Sequence, residues 1–520
     1  MAKIHTALIS VSDKSGLLEF ARGLSSLGVK IISSGGTARA LREAGLEVEE
    51  VSTYTGFPEM MDGRVKTLHP KVHGGLLARR DNPEHLAAAK AHGIRLIDLV
   101  VVNLYPFEKT VAKPGVALEE AIENIDIGGP SMVRSAAKNF RSVAIVCNPA
   151  RYPALLEELR EKGGEVSRET RSLLAVEAFG HTARYDEAIH GYLAKKLLPE
   201  EERAQPFPQK LTKTWELAGE LRYGENPHQQ AALYREAGAS AGLVGARQLH
   251  GIELSYNNYL DLQAALDAVS DFADPAAAVI KHCTPCGVAV AESPAQAFRD
   301  ALASDPLSAF GGIYSFNRKL DAAAAKVVHE SGFYHCLIAP GYDPEALEIL
   351  KQRKEVRLLE LPDFPKPGEA GIELRPIRGG ALVQERNAAL ATEKLTVVSK
   401  RQPTPEQLRS LAFAEVVCKH VKSNAAVFAQ GTRTVGIGGG QTSRVDAVID
   451  AARKAGEQAK GSVMATDSYF AKPDAVEEAA KAGAVAILHP GGSKRDDDST
   501  AAADRFGIAM VISGVRHFRH

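Results

Sequence analysis

Apolar and polar residues alternate along the first third of the chain with two different periods, and this alternation predicts an α/β fold. Short apolar runs are typical of buried strands, whereas apolar residues three or four positions apart are typical of amphipathic helices. The pattern predicts strands over 4–10, 29–33, 98–103 and 143–147, and helices over 17–27, 37–44 and 131–139. Because short connections containing glycine join these segments, we expect a parallel sheet flanked by helices.

The character of the chain changes after a helical pattern over 165–198. Residues 199–210, PEEERAQPFPQK, contain three prolines and three glutamates without periodicity, which is typical of an interdomain linker. Further short strands are predicted over 277–280, 426–429, 434–437, 462–465, 485–488 and 508–512. We therefore expect a first domain over 1–198, a linker over 199–213 and a second α/β region over 214–520, with a subdomain break near 360–371.

Composition limits the classes of partner and compartment. With 520 residues, the chain is too long for one core. Its 63 basic and 64 acidic residues nearly cancel, so we expect no nucleic-acid partner. No apolar run reaches about 18 residues, so we expect no membrane partner. The N-terminus lacks the features of a signal peptide, and five cysteines, an odd number, do not form a disulfide framework. We expect a cytoplasmic protein.

Two loops follow the first two predicted strands and indicate an anion site. They are SVSDKSG and SSGGT. Their glycines allow close backbone approach, Thr37 can cap the next helix, and the first helical turn offers free N–H groups to an anion. A simple capped turn is the alternative for SSGGT. The ends of adjacent parallel strands meet at one sheet edge, so we expect a shared crevice.

The segment DGRVKTLHP adds cations to this region. Arg64 suits a phosphate or carboxylate, and Lys66 suits a developing negative charge. A solvated basic loop is the alternative, although it does not account for Thr67 and His69. A zinc site on His69 and His73 is not favoured, because the metalloprotease pattern needs a glutamate between two histidines on a helix.

Further polar groups lie where strands end or helices begin. Asn103 and Tyr105 follow the apolar strand in NLYPF, where α/β sheets place site groups. Asp126 opens the DIGGP helix that carries Lys138, and a structural cap is the alternative for Asp126.

The second region has its own candidate ligands. RYGENPHQ supplies Arg222 and Tyr223, and KSN supplies Asn424. GIGGGQTSR is a glycine-rich turn that places Arg444 at the start of a helix, but it lacks the Lys-Ser/Thr ending of a nucleotide-triphosphate loop. The chain ends in RHFRH, directly after an apolar strand, so Arg516 belongs either to a frayed tail or to a site.

The stretch IKHCTPCG contains both a Cys-x-x-Cys pattern and a Lys-His pair. A structural zinc site needs four ligands, and Cys283 and Cys286 have no second pair of cysteines. The strand-like GVAVA that follows is unlike the helix of a redox motif, so we expect packed thiols beside a Thr-Pro turn. Lys281 and His282 end a predicted strand, where histidine can carry a proton and lysine can stabilise charge on oxygen. A core histidine is the alternative for His282.

Together these stretches resemble one family. SVSDKSG, SSGGT, DGRVKTLHP, NLYPF, DIGGP, RYGENPHQ, KHCTPCG, DPLSAFGG, GIGGGQTSR and RHFRH occur in that family's order along the whole chain. The family is the bifunctional purine-biosynthesis enzyme that combines 5-aminoimidazole-4-carboxamide ribonucleotide (AICAR) formyltransferase with inosine monophosphate (IMP) cyclohydrolase. The resemblance implies formyl transfer from 10-formyltetrahydrofolate to AICAR in the C-terminal region. It implies dehydrative closure of formyl-AICAR to IMP in the N-terminal region.

The resemblance also implies folds, partners and residue roles. The folds are a methylglyoxal-synthase-like α/β domain and a transformylase of cytidine-deaminase-like α/β subdomains. The protein would be a homodimer with folate as co-substrate, no tightly bound cofactor and no metal. The implied catalytic residues are Lys281 and His282 for transfer, and Lys66, Tyr105, Asp126 and Lys138 for cyclisation. The implied substrate-binding residues are Ser12, Lys14, Ser34, Gly36, Thr37, Arg64, Thr67, Asn103, Arg222, Tyr223, Asn424, Arg444 and Arg516.

Three departures from the family pattern fall in the second region. Thr284 stands where bacterial relatives usually have asparagine, His335 where an acidic residue is common, and Lys472 where an aromatic residue is usual. These departures leave open the alternative of a chain with only one activity. The Cys-x-x-Cys pair leaves open a second alternative, a metal- or redox-dependent binding protein that uses Cys283 and Cys286.

Overall fold

The protein divides into two compact units, Met1–Leu211 and Thr212–His520. The structure is a computed structural model that describes residues 2–61, 64–203, 207–237, 239, 241–389 and 395–520. Two predicted features therefore lie partly outside the described residues: positions 62–63 of DGRVKTLHP and positions 204–206 of the linker.

A parallel sheet organises the first unit. Its strands run in the order β4-β3-β2-β5-β6, while β1 pairs antiparallel with β7. The strands are β1 Ala2–Lys3, β2 Thr6–Val11, β3 Lys30–Ser33, β4 Glu49–Glu50, β5 Leu99–Asn103, β6 Ala144–Val146 and β7 Glu165–Val166. The helices are α1 Leu17–Ser26, α2 Gly35–Glu43, α3 Val51–Thr55, α4 Pro70–Leu77, α5 Pro83–Ala91, α6 Phe107–Val111, α7 Leu118–Glu123, α8 Gly128–Lys138, α9 Tyr152–Glu161, α10 Arg168–Leu197 and α11 Glu200–Arg203.

The apolar runs of this sheet are continuous because helices cover both of its faces. Ile9 packs with residues of α1 and α9 on one face, whereas Leu8 packs with residues of α4 and α8 on the other. The α/β prediction is confirmed, and the predicted strands and helices agree with the structure within three residues at either end. The helical pattern over 165–198 is wrong at its start, because Glu165 and Val166 form β7 and α10 begins at Arg168.

One mixed sheet organises the second unit. Its order is β10-β15-β14-β13-β11-β12-β20-β19-β21-β22-β23-β18, and two separate hairpins pair β8 with β9 and β16 with β17. The strands are β8 Trp215–Leu221, β9 Ala231–Glu236, β10 Arg247–His250, β11 Ala276–Lys281, β12 Thr284–Val290, β13 Ile313–Phe316, β14 Cys336–Ala339, β15 Arg357–Glu360, β16 Ile372–Ile377, β17 Gly380–Glu385, β18 Thr396–Val397, β19 Ala426–Gln430, β20 Arg433–Gly438, β21 Val463–Thr466, β22 Ala486–His489 and β23 Ala509–Ile512. The helices are α12 Tyr256–Ser270, α13 Pro294–Leu302, α14 Pro306–Ala309, α15 Ala322–Glu330, α16 Pro344–Leu350, α17 Pro405–Lys419, α18 Arg444–Ala455, α19 Asp474–Ala482 and α20 Asp496–Phe506.

This sheet contains one strand arrangement twice. The order β12-β11-β13-β14-β15 matches the order β20-β19-β21-β22-β23, and β12 and β20 meet at the centre. In each copy a hairpin comes first, the third strand runs antiparallel to the first, and the last two strands run parallel. The hydrophobic pattern does not predict β13, β14 and β15, although it predicts strands of the same length, β21, β22 and β23, in the second copy.

No helix in the described part of the chain has the length and apolar character needed to cross a membrane.

Candidate active sites

The side chain of Asn103 joins two strand ends of the parallel sheet. Its Oδ1 accepts hydrogen bonds from the backbone N–H groups of Ser12 (2.7 Å) and Asp13 (2.8 Å), and its Nδ2 donates to the Asp13 carbonyl (3.0 Å). Asn103 is buried at the end of β5, and Ser12 follows β2, the neighbouring strand. Asn103 therefore fixes the loop that carries Lys14. The sequence pattern alone does not indicate this structural role of Asn103.

The start of α2 lies beside this loop. The Thr37 hydroxyl accepts from the N–H of Val11 (3.1 Å) and donates to its carbonyl (3.0 Å), so Thr37 ties α2 to the end of β2. The expectation that Thr37 caps the helix is wrong, because Ser34 is the N-cap residue and Thr37 lies inside the first turn. Gly35 has a φ of 54°, a left-handed conformation that favours glycine. The first-turn N–H groups of Gly36 and its neighbours can face an anion.

Lys66 extends over the start of α2. A Cβ atom added to Gly35 would lie 2.9 Å from Lys66 Nζ, and Nζ is also 2.9 Å from a carboxylate oxygen of Glu59. Arg64 pairs with Glu123, and both of these side chains are more than half exposed. The cation of Lys66 therefore lies beside the predicted anion loop, whereas the exposed ion pair of Arg64 contributes little to stability.

Asp126 lies just before α8, in contact with the backbone of Tyr105. Its Oδ1 accepts from the N–H of Gly129 (2.8 Å), and its own N–H donates to the Tyr185 hydroxyl (2.8 Å). Burial raises the pKa of Asp126, although hydrogen bonds from the backbone of Gly129 and Tyr105 act in the opposite direction. Thr67 is buried against Gly128 at the first residue of α8.

Lys138 is not brought to the same place as Asp126. It is exposed and forms the last residue of α8, whereas Asp126 precedes the first. Ten residues of helix separate two side chains by about 15 Å along the axis. Within one subunit, the structure brings together Lys66, Thr67 and the anion loops, but it leaves Lys138 at the far end of α8.

The two histidines of HPKVH have separate structural roles. Nδ1 of His69 accepts from the N–H of Lys71 (3.1 Å) and caps α4, while Nδ1 of His73 lies 3.0 Å from the Ser135 hydroxyl. Among the residues that the structure describes, no group of three or more His, Cys, Asp or Glu side chains has the arrangement of a metal site.

In the second unit, IKHCTPCG forms the β11–β12 hairpin. Lys281 ends β11 and pairs with Thr284, so His282 and Cys283 are the two turn residues, with φ values of 53° and 59°. The expectation that His282 ends a strand is therefore wrong, as is the expected Thr-Pro turn, because Thr284 and Pro285 begin β12. Left-handed backbone at two non-glycine residues is strained, and Asp261 Oδ1 holds the turn by accepting from the Cys283 N–H (2.6 Å).

This hairpin presents the Lys-His pair, buries Cys286 and partly buries Cys283. His282 is exposed at the tip, and Lys281 Nζ donates to the Phe310 carbonyl (2.8 Å). Burial raises the pKa of Cys283 to about 11 and that of Cys286 to about 12. All five cysteines are unpaired. Because the thiolate is the reactive and metal-binding form, this environment opposes the cysteine-dependent alternative and agrees with packed thiols.

Asn424 and Arg444 meet in the second copy of the strand arrangement. The Arg444 guanidinium donates to Asn424 Oδ1 (2.8 Å) and to a carboxylate oxygen of Asp467, which has no exposed surface. Asn424 Nδ2 donates to the Gln441 carbonyl (2.9 Å). Sequence reasoning missed Asp467, although a signal was present: it is a charged residue directly after the apolar strand β21.

The C-terminal segment is attached to the same cluster. Ser423 donates from its N–H to the Arg519 carbonyl (2.9 Å) and from its hydroxyl to Asp467, and the His517 N–H donates to the Asp467 carbonyl (3.0 Å). RHFRH is therefore a docked segment and not a frayed end. Arg516 is exposed, with its guanidinium 4.6 Å from the centre of the Phe518 ring.

Arg222 and Tyr223 follow β8 in an exposed turn. The Arg222 guanidinium lies 4.8 Å from the centre of the Tyr223 ring and donates to its hydroxyl (3.0 Å). Of the residues that depart from the family pattern, His335 stacks edge-on against Phe333, with ring centres 5.0 Å apart. Burial lowers the pKa of His335, which favours the neutral imidazole. An imidazole is neutral or positive, so it does not replace the negative charge of the usual acidic residue. Lys472 is exposed.

Comparisons with known proteins identify the family of this chain. A family model described as "AICARFT/IMPCHase bienzyme" matches residues 136–454, and a model described as "MGS-like domain" matches residues 16–131. The chain is 51% identical over 517 residues to "Bifunctional purine biosynthesis protein PurH" of Desulfitobacterium hafniense (strain DSM 10664 / DCB-2), with 99% of each chain covered. It is 51% identical over 528 residues to the protein of the same name from Neisseria gonorrhoeae (strain NCCP11945), with 100% of each covered.

A solved structure titled "Crystal structure of ForH" is 37% identical and covers 38% of this chain and 100% of its own. Its TM-score of 0.35 is too low to support an argument about the fold. The match to the MGS-like model confirms the expected class of the first domain.

Proposed function

The chain belongs to the AICARFT/IMPCHase bienzyme family, and from that premise we propose how its two units divide the family's two reactions. The enzyme transfers a formyl group to AICAR and closes formyl-AICAR to IMP, the two activities of bifunctional purine biosynthesis. We assign cyclisation to the first unit and formyl transfer to the second. One observation carries this assignment: the polar clusters around Asn103 and around Asp467 are each built within one compact unit.

In the first unit, the nucleotide phosphate would bind at the α2 N-terminus. The first-turn N–H groups, the left-handed Gly35 and the cation of Lys66 would suit a phosphate, which would compete with Glu59 for that cation. Ser12, Lys14 and Ser34 border it, and Asn103 would act mainly by holding the Ser12 loop.

Cyclisation requires a carboxamide nitrogen to attack the formyl carbon, so an oxyanion must be stabilised and a proton must move. Lys66 would stabilise the oxyanion. Asp126, whose raised pKa brings its titration closer to neutral pH, and the exposed Tyr105 hydroxyl would handle the proton. Lys138 is too distant along α8 to join them in the same subunit, and we expect it to contribute less.

In the second unit, Asn424, Arg444 and Arg516 would hold AICAR, with Arg222 and Tyr223 as further ligands. The formyl donor would be 10-formyltetrahydrofolate, a co-substrate that leaves after each turnover. His282, exposed at the hairpin tip, would take the proton of the AICAR amine, and Lys281 would stabilise charge at the transferred formyl group. The two copies of the strand arrangement would be the cytidine-deaminase-like subdomains, divided near 360–371.

We also propose a homodimer. The two separate hairpins of the second unit expose large apolar side chains that include Trp215 (48% exposed), Leu217 (57%) and Leu382 (59%). Two-stranded hairpins are marginal when isolated, and exposed apolar surface of this kind is typical of an interface. Small soluble substrates and unpaired cysteines fit a cytoplasmic enzyme.

A pair of substitutions tests the division of labour. His282→Ala should abolish tetrahydrofolate release from 10-formyltetrahydrofolate and AICAR, while supplied formyl-AICAR is still cyclised. Lys66→Ala should do the reverse, so that formyl-AICAR accumulates. Loss of both activities in either variant, at unchanged thermal stability, would refute the assignment. The same two assays on the unaltered enzyme exclude the alternative of a single surviving activity if both products form.

A further inference from the structure

A buried carboxyl group on α17 faces the docked C-terminal segment. Glu415 is 2% exposed and His517 is 1% exposed. Glu415 Oε1 and His517 Nε2 lie 3.9 Å apart, and neither atom has a hydrogen-bond partner among the described residues. This distance exceeds the length of a hydrogen bond by about 1 Å. A small inward movement therefore joins the two groups directly.

The position of the imidazole proton follows from the other ring nitrogen. Nδ1 of His517 lies 3.0 Å from Nδ2 of Asn387, and an amide nitrogen can only donate. Neutral His517 therefore carries its hydrogen on Nε2, which faces the carboxyl oxygen of Glu415. The Nε2–H of His517 is a donor that faces Oε1 of Glu415, an acceptor, so the two side chains can form a direct hydrogen bond.

The charged neighbours of this pair are engaged elsewhere. Lys419 and His420, one turn further along α17, both hydrogen-bond to Asp271 at the end of α12. Asp467, in the segment after β21, binds the guanidinium on α18. The Ser513 side chain, just after β23, hydrogen-bonds to the Glu415 carboxyl group. In the described part of the chain, the imidazole on the C-terminal segment is the one ion-pair partner within reach of this carboxyl group.

We propose that Glu415 is a positioning residue for formyl transfer: by accepting the Nε2–H of His517 it fixes the C-terminal segment, and with it Arg516, at the AICAR site. The proposal rests on the proposed function of Arg516, the neighbour of His517 in sequence. It adds a residue of α17 to the site, although Glu415 itself does not contact substrate.

The strength of the proposed hydrogen bond between His517 and Glu415 depends on pH near neutrality. Burial raises the pKa of Glu415 to about 7 and lowers that of His517 to about 4. Between pH 6 and 8 His517 stays neutral while Glu415 changes from acid to carboxylate. Because a carboxylate is the stronger acceptor, the segment is held more firmly at pH 8. The KM for AICAR should therefore fall as pH rises, with kcat of the transferase less affected.

Three variants of the full-length enzyme test this. Glu415→Leu removes the acceptor and should raise the KM for AICAR about tenfold at pH 8, while kcat and cyclisation are retained. It should also increase hydrogen–deuterium exchange of the amides over 513–520. Glu415→Gln keeps a neutral acceptor, so it should restore the exchange protection and flatten the dependence of KM on pH. Val417→Ala, a matched control on α17, should lower thermal stability without changing KM or exchange of the segment.

Two results would overturn the proposal. One is unchanged exchange over 513–520 in Glu415→Leu; the other is a dependence of KM on pH in Glu415→Gln that equals that of the unaltered enzyme. Arg516→Ala separates this failure from failure of the proposed function. If that variant binds AICAR normally, the role of Arg516 is wrong. If it raises KM while Glu415→Leu does not, the positioning role of Glu415 is wrong.

Discussion

Gly287, in the middle of β12, is packed so closely against α13 that one added methyl group should disturb the formyl-transfer unit. A Cβ atom at this position would lie 1.9 Å from the Ala301 carbonyl oxygen, 2.9 Å from its carbon and 2.7 Å from Ser304 Cβ. The first two are backbone atoms, which cannot rotate away. Ordinary contacts begin near 3.4 Å, so strand and helix would have to separate by more than 1 Å.

The expected effect of Gly287→Ala follows from this geometry. Overpacking that moves backbone costs about 3 kcal/mol, at the upper end of the usual range. In a unit of this size, such a loss lowers the midpoint of thermal unfolding by about 6 °C. Because β12 begins directly after the His282 turn, formyl transfer should fall more than stability alone explains, while cyclisation should be retained.

Differential scanning calorimetry with separate assays of the two reactions measures this. Gly219→Ala, in β8 of the same unit, is the matched control, because a Cβ atom there meets nothing within 4 Å. The control should unfold within about 1 °C of the unaltered protein, since alanine in an open strand position is neutral or slightly favourable. If Gly287→Ala unfolds at the same temperature as the control and transfers formyl groups normally, the packing argument is wrong.

Three further outcomes are expected. Burial by itself would raise the pKa of Asp271, but hydrogen bonds from His420 and Lys419 outweigh it and lower this pKa to about 2. The carboxylate therefore stabilises the fold at pH values above its unfolded pKa of 3.8. This stabilisation is lost as pH falls towards 2. Asp271→Asn should therefore lower the free energy of unfolding by about 2 kcal/mol at pH 7 and by little at pH 2, as urea titrations at both values would show. Asp467→Asn should raise the KM for AICAR with cyclisation unchanged, because it removes the charge paired with the guanidinium on α18; an unchanged KM would contradict this. Cys283→Ala should retain both activities, and loss of either would revive a role for the thiol.

The sheet of the first unit was predictable because its signals are local. Continuous apolar runs such as 99–102 alternate with amphipathic helices, and each loop of polar residues follows a strand end. Strands β13 to β15 were missed in the sequence, and their pairing with neighbouring strands identifies them in the structure. The repeated arrangement of the second unit was also invisible, because it repeats strand order and not residues.

Candidate ligands such as Lys66 and Arg444 came from motifs, and the structure supplied the partners that hold them. Asp467 and Asp261 accept hydrogen bonds from residues that are distant in sequence. The resemblance implies one site for Asp126 and Lys138, whereas in a single subunit α8 separates these two residues along its axis.

The sequence by itself determined the α/β class, the order of the motifs and the chemical types of the candidate groups, because these depend on periodicity and composition along the chain. Only the tertiary structure decided that His282 lies in a strained turn, that RHFRH is docked, and that Oε1 of Glu415 faces Nε2 of His517. The physical reason is the distance along the chain over which each effect acts. Strand and helix preferences act over a few residues, whereas burial, pKa values and hydrogen-bond partners arise when segments far apart in sequence meet and exclude water.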